Sequence, residues 1–165
     1  MNLRKFFLAA AATLVAATAW ATTNYQYDAD EYVTITSGIS PDGRVAIAAH
    51  GEGDLGTDNF HLYLFDAAAS KKIGPLEEIE DNLDTGAGAF VAKWKKDSSE
   101  ATIIYRVDRH APLKAMTYRF GKGRAFPLTR HPVDLRDNDP MARFFSESNK
   151  DAQPERVFGK SKPRS

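Results

Sequence analysis

The stretch that decides the fold is residues 40–44, Ser-Pro-Asp-Gly-Arg, followed directly by the apolar run Val-Ala-Ile at 45–47. Proline fixes φ and glycine accepts a positive φ, so the first four residues form a tight turn. The segment before the turn, 32–36, is Tyr-Val-Thr-Ile-Thr, which is rich in the aromatic and β-branched residues that favour strands. The sequence therefore predicts a β-hairpin centred on this turn.

Further strands are predicted outward from this hairpin, because short apolar segments with a period of two recur between turn residues. Pro75 cannot donate to a ladder, so the strand that contains it is expected at a sheet edge, whereas both faces of 60–66 are apolar and predict an interior strand. The connections between these strands are too short to hold a parallel crossover helix. The eight predicted strands cover 32–36, 44–50, 60–66, 72–79, 90–94, 101–107, 114–120 and 123–128.

The two halves of this region share landmarks in the same order. Residues 39–43 match 94–98 at an offset of 55, and Pro75-Leu76 matches Pro127-Leu128 at an offset of 52. The apolar triplet 62–64 matches 116–118 between them. This order indicates two repeat units, about 32–80 and 86–130. The alternative is two unrelated meanders that share their turn spacing.

These turns, Ser-Pro-Asp-Gly at 40–43 and Trp-Lys-Lys-Asp-Ser at 94–98, resemble the blade signature of Tol-type bacterial β-propellers. The resemblance implies four-stranded antiparallel units and a protein-docking role. The second copy has Lys96 in place of the proline, and two units cannot close a ring of ~4–8 blades.

We therefore expect an all-β fold with two four-stranded antiparallel units packed as a sandwich-like domain over 32–148. Assembly of several chains into a composite propeller is the alternative. Asp139-Pro140 fits a helix N-cap and first turn, and Met141, Phe144 and Phe145 fall on one side of the following helix. A short C-terminal helix over about 140–148 is therefore predicted, either docked on the sandwich or free to bind a partner. The polar stretch 149–165 is predicted to be a disordered tail.

The N-terminus has the three parts of a secretory signal peptide, predicted over residues 1–21. Arg4 and Lys5 precede an uncharged apolar run of 15 residues, which is shorter than the ~20 needed to span a bilayer. Small residues at Ala19 and Ala21 fit a cleavage site. The form of the leader predicts a bacterial protein that is periplasmic or secreted, and a retained anchor is the weaker alternative. Residues 22–31 are expected to be a loose lead-in.

Composition excludes several classes of function. The chain has no cysteine, which excludes disulfides, thiolate metal sites and a cysteine nucleophile. Without Arg4 and Lys5 the basic residues number 20 against 22 acidic ones, so no strong field recruits nucleic acid or an anionic membrane. Neither a nucleic-acid partner nor stable membrane insertion after cleavage of the leader is expected, and the oligomeric state is left open.

The polar residues that best fit a binding site lie where two strands give way to loops. His50, Asp54 and Asp58 belong to the first loop, and Arg109 and His110 to the equivalent place in the second unit. No motif marks a catalytic residue, a metal site or a cofactor, although a weak calcium site at the acidic loops is an alternative.

The aromatic residues at strand positions are interpreted as core rather than as a stacking platform for sugars or bases. We expect an exported, non-catalytic β domain that binds a protein or cell-envelope component. A hydrolase acting on envelope glycan or peptide through loop carboxylates and histidines is one alternative. An inhibitor that places the loop 51–57 in the cleft of an exported hydrolase is another.

Overall fold

The computed structural model describes residues 30–52, 58–79, 87–108, 110–150 and 155–159, without the side chains of residues 52, 58 and 59. The predicted signal peptide and all but the last two residues of the predicted lead-in lie outside the described residues. Within the described ranges, no helix has the length and apolar character needed to cross a bilayer.

The described residues form ten strands, one α-helix and a 3₁₀ turn at Ala87–Ala89. The strands are β1 Tyr32–Ile39, β2 Val45–Glu52, β3 Asp58–Asp66, β4 Lys71–Pro75, β5 Phe90–Trp94, β6 Glu100–Tyr105, β7 Lys114–Gly121, β8 Arg124–Pro127, β9 Val133–Asp134 and β10 Val157–Phe158. The helix is α1, Pro140–Ser148. All eight predicted strands are present, and α1 covers the predicted helical range.

The strands pair in the order β4-β3-β2-β1-β5-β6-β7-β8, with β10 beside β1 and β9 beside β7. Each four-strand unit is antiparallel, and β3 is an interior strand whereas β4 is an edge strand, as predicted. We call β1–β4 with β10 sheet A, and β5–β8 with β9 sheet B. The two sheets join where β1 and β5 pair in parallel through Thr36 and Val91.

The sheets curve around one shared core until the whole is nearly barrel-shaped. Side chains of both units fill this core, and those of Phe90, Ile103 and Tyr105 from sheet B are fully buried. Burial of one apolar face of each sheet against the other is the packing expected of a two-layer β domain. The predicted all-β, sandwich-like fold with a short C-terminal helix is therefore confirmed.

The first hairpin of each unit is closed by the same backbone hydrogen bond. In sheet A the Ser40 amide donates to the carbonyl oxygen of Val45 over 2.8 Å. The bond recurs 55 positions later in sheet B, where the Lys95 amide donates to Glu100 over 2.8 Å. The repeated turn pattern in the sequence therefore corresponds to a repeated local structure.

The two turns also touch each other. The Asp42 amide donates to the hydroxyl of Ser98 over 3.0 Å. Ser98 has φ = 60° and takes the position that Gly43, with φ = 69°, occupies in the first turn. A buried serine therefore replaces the glycine and ties the two units together at this end of the fold.

Equivalent positions of the two hairpins nevertheless face opposite sides of their sheets. Val45 packs against the shared core, whereas Glu100 lies on the outer face and pairs with Lys95 and Arg119 at 2.6 and 3.0 Å. Since side chains alternate along a strand, an irregularity in the ladder can exchange the two faces. Such an irregularity separates the pairs formed by Thr34 and Ile39 with β2, while β5 and β6 pair without interruption.

The bulge in β1 contains Ser37, with φ = 54°, and Gly38. The indole nitrogen of Trp94 donates to the Ser37 carbonyl oxygen over 2.9 Å. A backbone carbonyl that leaves the β1–β2 ladder is thus satisfied by the second unit. The bulge therefore exchanges the core-facing and outward-facing positions of the first hairpin relative to the second. It also provides part of the junction between the two sheets.

The prediction of a disordered tail over 149–165 is wrong for 155–159. Part of this segment forms β10, whose Phe158 pairs with Tyr32 of β1. The Thr34 amide donates to the carbonyl oxygen of Arg156 over 2.9 Å. Asn149 and Lys150 form the turn that ends α1, and residues 151–154 and 160–165 of the predicted tail lie outside the described residues.

Side chains explain why so polar a segment is ordered. The Arg156 guanidinium donates to the carbonyl oxygen of Ala67 and to the hydroxyl of Ser70, both over 2.6 Å. Phe158 stacks on Phe65 with ring centroids 4.4 Å apart and is buried. The Arg156 guanidinium and the Phe158 ring therefore hold the segment in place, although its composition is mostly polar.

Helix α1 covers part of the outer face of sheet B. Its N-cap is Asp139, whose carboxylate accepts from the Met141 amide over 2.8 Å. The buried side of the helix, with Phe145, packs on Val91 and Ile104. The helix is therefore docked on the sandwich, the first of the two alternatives that the sequence left open.

Candidate functional site

The outer face of sheet A carries a group of ring side chains. The β2–β3 register places His50 opposite His61 and Ala48 opposite Tyr63. Directly opposed residues of an antiparallel pair lie on one face, and so do alternate residues of a strand. This face also holds Tyr32 of β1. We call the set Tyr32, His50, His61, Tyr63 and Lys72 the ring cluster.

Tyr32 is at the centre of the ring cluster. Its ring stacks on His50 with centroids 4.5 Å apart and planes at 28°, and it meets Tyr63 edge-on at 5.1 Å and 88°. On β2, Ala48 is opposite Tyr63 and Thr34, so the two tyrosines meet diagonally across β2, where the small alanine side chain leaves room for their rings. These are favourable aromatic geometries, so the rings hold one another in a fixed arrangement.

A backbone contact orients the imidazole of His50. Its Nδ1 lies 2.7 Å from the carbonyl oxygen of Glu31. A carbonyl oxygen only accepts, so Nδ1 carries the hydrogen and the neutral ring keeps its lone pair on Nε2. His50 is thus held from two sides, by Glu31 and by the stacked Tyr32.

Lys72 adds a positive charge to the ring cluster. Its ammonium donates to the hydroxyl of Tyr32 over 2.9 Å and lies 5.0 Å from the ring centroids of both Tyr32 and Tyr63. The hydrogen bond to Tyr32 raises the pKa of Lys72 above its usual value. The cation therefore stays charged at neutral pH and is positioned above two aromatic faces.

A cleft opens beside the ring cluster, between β3 and the chain that follows β4. Its volume of about 290 Å³ is close to the ~300 Å³ lower end of small-molecule sites. The walls combine the rings of His61, Tyr63 and Pro75 with the carboxylate residue Glu77. Leu62, Leu76 and Ile79 complete the lining. Such a cleft accommodates one small ring or side chain with both apolar and hydrogen-bonding parts.

The structure places only one of the predicted site residues in this cluster. His50 belongs to it, whereas His110 is an exposed residue of the loop between β6 and β7, and its amide donates to the Asp108 carboxylate over 2.6 Å. The parallel β1–β5 pair brings the ends of β2 and β6 to the same end of the fold, but the lining of the cleft includes neither histidine. Asp58 begins β3, without a described side chain. Asp54 and Arg109 lie outside the described residues.

The residues that the sequence did not identify as a site are Tyr32, His61, Tyr63, Lys72 and Glu77. The interpretation of strand aromatics as core is right for Tyr105 and Tyr118, which are fully buried, but Tyr63 is half-buried on the outer face. The alternation of His61 and Tyr63 along β3 was a usable sign, because it places both on one face. Their contact with Tyr32 depends on the pairing of three strands.

The described part of the chain contains no group of three or more histidine, aspartate or glutamate side chains arranged to hold a metal ion. No protein-family model, curated protein or solved structure matches this chain. The likeness of the turns to Tol-type propellers stays a prediction. Function must accordingly be inferred from the ring cluster and the cleft themselves.

Proposed function

We propose that the chain is an exported, non-catalytic β domain of the bacterial periplasm or exterior that binds a protein or cell-envelope component. The ring cluster and its cleft are the binding site, and a glycan unit of the envelope is the ligand class that they fit. The observation that carries this proposal is the fixed arrangement of tyrosine and histidine rings, with a lysine, directly beside a cleft of about 290 Å³.

Sugar rings have an apolar face and hydroxyl edges, so they require both aromatic walls and hydrogen-bonding groups. Tyr63 and Pro75 offer the apolar wall, and His61 and Glu77 offer the polar groups. The rings are already packed before a ligand arrives, which lowers the entropic cost of binding. Small polar ligands are recognised by this combination of rigid apolar walls and a few polar groups.

The alternative of a glycan hydrolase receives less support from the cleft. Glycosidases use two carboxyl groups on either side of the scissile bond. Among the seven lining residues Glu77 is the one carboxylate. One carboxylate is sufficient to accept hydrogen bonds from hydroxyls, which is what a binding site requires. The inhibitor alternative rests on the loop 51–57, most of which lies outside the described residues.

The test is titration of the mature chain with soluble disaccharide-peptide fragments of bacterial cell wall, followed by calorimetry and by NMR. We expect saturable binding, with the resonances of His61 and Tyr63 shifted. His61→Ala and Glu77→Gln should each weaken binding at least tenfold, while the control His110→Ala, in the loop between β6 and β7, should leave it unchanged.

Two results would overturn the proposal. Absence of saturable binding by folded chain would remove the glycan site. Cleavage of the fragments, detected by mass spectrometry and lost in Glu77→Gln, would make the chain a hydrolase. Export is tested separately, since expression with the leader in a bacterial host should yield a periplasmic or secreted chain that begins near Thr22.

A further inference from the structure

A second surface, on the outer face of sheet B, is separate from the ring cluster. Three of the five exposed large apolar residues in the described part of the chain lie on it: Phe126, Leu128 and Val133, at 47%, 43% and 55% exposure. Phe126 is opposite Arg119, and Val133 is opposite Ala115. Both partners are on the side of β7 away from the buried Met116 and Tyr118, so the apolar residues share the outer face. We call Phe126, Leu128 and Val133 the open strip.

A partner is expected to bind the side chains of the open strip rather than to add a strand at the free edge of β8. The Leu128 amide donates to the carbonyl oxygen of Thr117 over 2.8 Å. Because amides alternate in direction along a strand, the nitrogen of Pro127 points to the open edge, where it has no hydrogen to donate. Proline at this position interrupts the addition of another strand. A partner therefore binds by covering side chains.

The dimensions of the strip match one α-helix. It extends over β7 and β8, two strands at about 4.8 Å spacing, which gives a width of roughly 10 Å. A helix with its side chains is about 10 Å across. From Ala115 to Arg119 the strip is about 14 Å long, the length of roughly nine helical residues. The chain's own nine-residue α1 covers the neighbouring strands β5 and β6 in the same layer.

The charge around the strip selects the partner. Lys122, Arg124 and Arg130 are exposed and lie within four residues of Phe126 or Leu128 along the chain. Their side chains form no hydrogen bond or ion pair with another described residue. The nearby carboxylate of Glu100 is already paired with Lys95 and Arg119. An occupant with acidic side chains would satisfy this excess positive charge.

We propose that the open strip docks an amphipathic helix of two to three turns, acidic on its polar side, from a partner protein. Helix α1 of a second copy does not supply it, because α1 carries Arg143 as well as Glu147 and its apolar side is buried on its own sheet. An anionic lipid surface has the same sign of charge as an acidic helix. It does not fit the shape of the site, since the open strip lies on a sheet face beside α1. The domain would then connect an envelope component to a protein.

The test uses two synthetic twelve-residue helical peptides with the same leucine stripe, one with glutamate and one with lysine on the polar side. Binding to the mature chain is measured by fluorescence anisotropy at low and high salt. We expect the glutamate peptide to bind at least tenfold more tightly than the lysine peptide, with weaker binding at high salt. Phe126→Ser with Val133→Ser should reduce binding at least tenfold, whereas the matched exposed control Ile73→Ser on sheet A should not.

A charge reversal sharpens the test. Arg124→Glu with Arg130→Glu should exchange the preference, so that the lysine peptide binds more tightly.

Three results would overturn the proposal: failure of the glutamate peptide to bind the folded chain, equal binding of both peptides, or loss of binding in the Ile73→Ser control. Concentration-dependent dimers abolished by Phe126→Ser would identify a second copy as the occupant. Strip-dependent binding of phosphatidylglycerol vesicles without peptide binding would identify lipid. Loss of glycan binding in His61→Ala without loss of peptide binding would show that the two sites are independent.

Discussion

The two units begin with the same turn and differ in what covers their outer faces. In sheet A aromatic rings pack on the small side chains of Ala46 and Ala48, and Phe158 of β10 stacks on Phe65. In sheet B helix α1 covers Val91 and Ile104, while β7 and β8 keep an exposed apolar strip. Similar hairpins therefore have outer faces of different chemistry.

The cause of the difference is the bulge in β1 rather than the turn. Both first hairpins close with equivalent hydrogen bonds, but only the β1–β2 ladder is interrupted, at Ser37 and Gly38. The apolar alternation of β2 consequently meets the core in one register and that of β6 in the other. A local backbone feature thus lets one turn motif serve two different surfaces.

The largest expected effect compares two phenylalanines on the two outer faces. Phe158→Ala removes a buried ring stacked on Phe65 and should lower the free energy of unfolding by about 3 kcal/mol. Phe126→Ala removes a ring that is nearly half exposed and should cost less than about 0.5 kcal/mol. Urea denaturation followed by circular dichroism measures both. Equal losses would contradict the assignment of one closed and one open face.

A smaller effect is expected at the bulge. A Cβ added at Gly38 would lie 2.6 Å from the carbonyl oxygen of Ile47 and 2.8 Å from that of Ile35, so Gly38→Ala must displace backbone. The expected loss is about 2 kcal/mol. Gly74→Ala in β4 is the matched control, because no atom lies within 4 Å of its added Cβ. If both variants unfold at the same urea concentration, the close approach of the Ile35 and Ile47 carbonyl oxygens to Gly38 is contradicted.

The smallest effect concerns the pH dependence of the two turns. The Ser40 hydroxyl, the Arg44 amide and the Arg44 guanidinium lower the pKa of Asp42 to about 2. Because the folded pKa is below the unfolded value, Asp42 stabilises the fold at neutral pH, and this contribution is lost as pH falls from about 4 to 2. Asp42→Asn should therefore flatten the pH dependence of unfolding over that window.

Asp97→Asn is the comparison for this titration. The side chain and amide of Ser99 also lower the pKa of Asp97, but this turn has no arginine equivalent to Arg44. Asp97→Asn should flatten the profile less than Asp42→Asn. Urea midpoints measured at half-unit intervals between pH 2 and 5 decide between them. A larger effect at Asp97 would show that the arginine contributes little to the difference between the turns.

Local sequence signals predicted much of the fold and little of the site. The β5 range 90–94 and the α1 range 140–148 agree with the structure because alternation and capping act within a few residues. No local signal indicates β10, since its order depends on the contacts of Arg156 and Phe158 with distant residues. Of the predicted site, His50 alone is observed in the ring cluster.

The sequence by itself determined the strands, the two turns and the helix, because each follows from the period of its side chains and from backbone preferences at proline, glycine and aspartate. Only the tertiary structure decided the parallel β1–β5 pair, the face that each hairpin presents and the meeting of Tyr32 with His50 and Tyr63. Those outcomes depend on register. An interruption in one ladder exchanges the two faces of a strand, and nothing short of the packed sheets fixes which face meets the core.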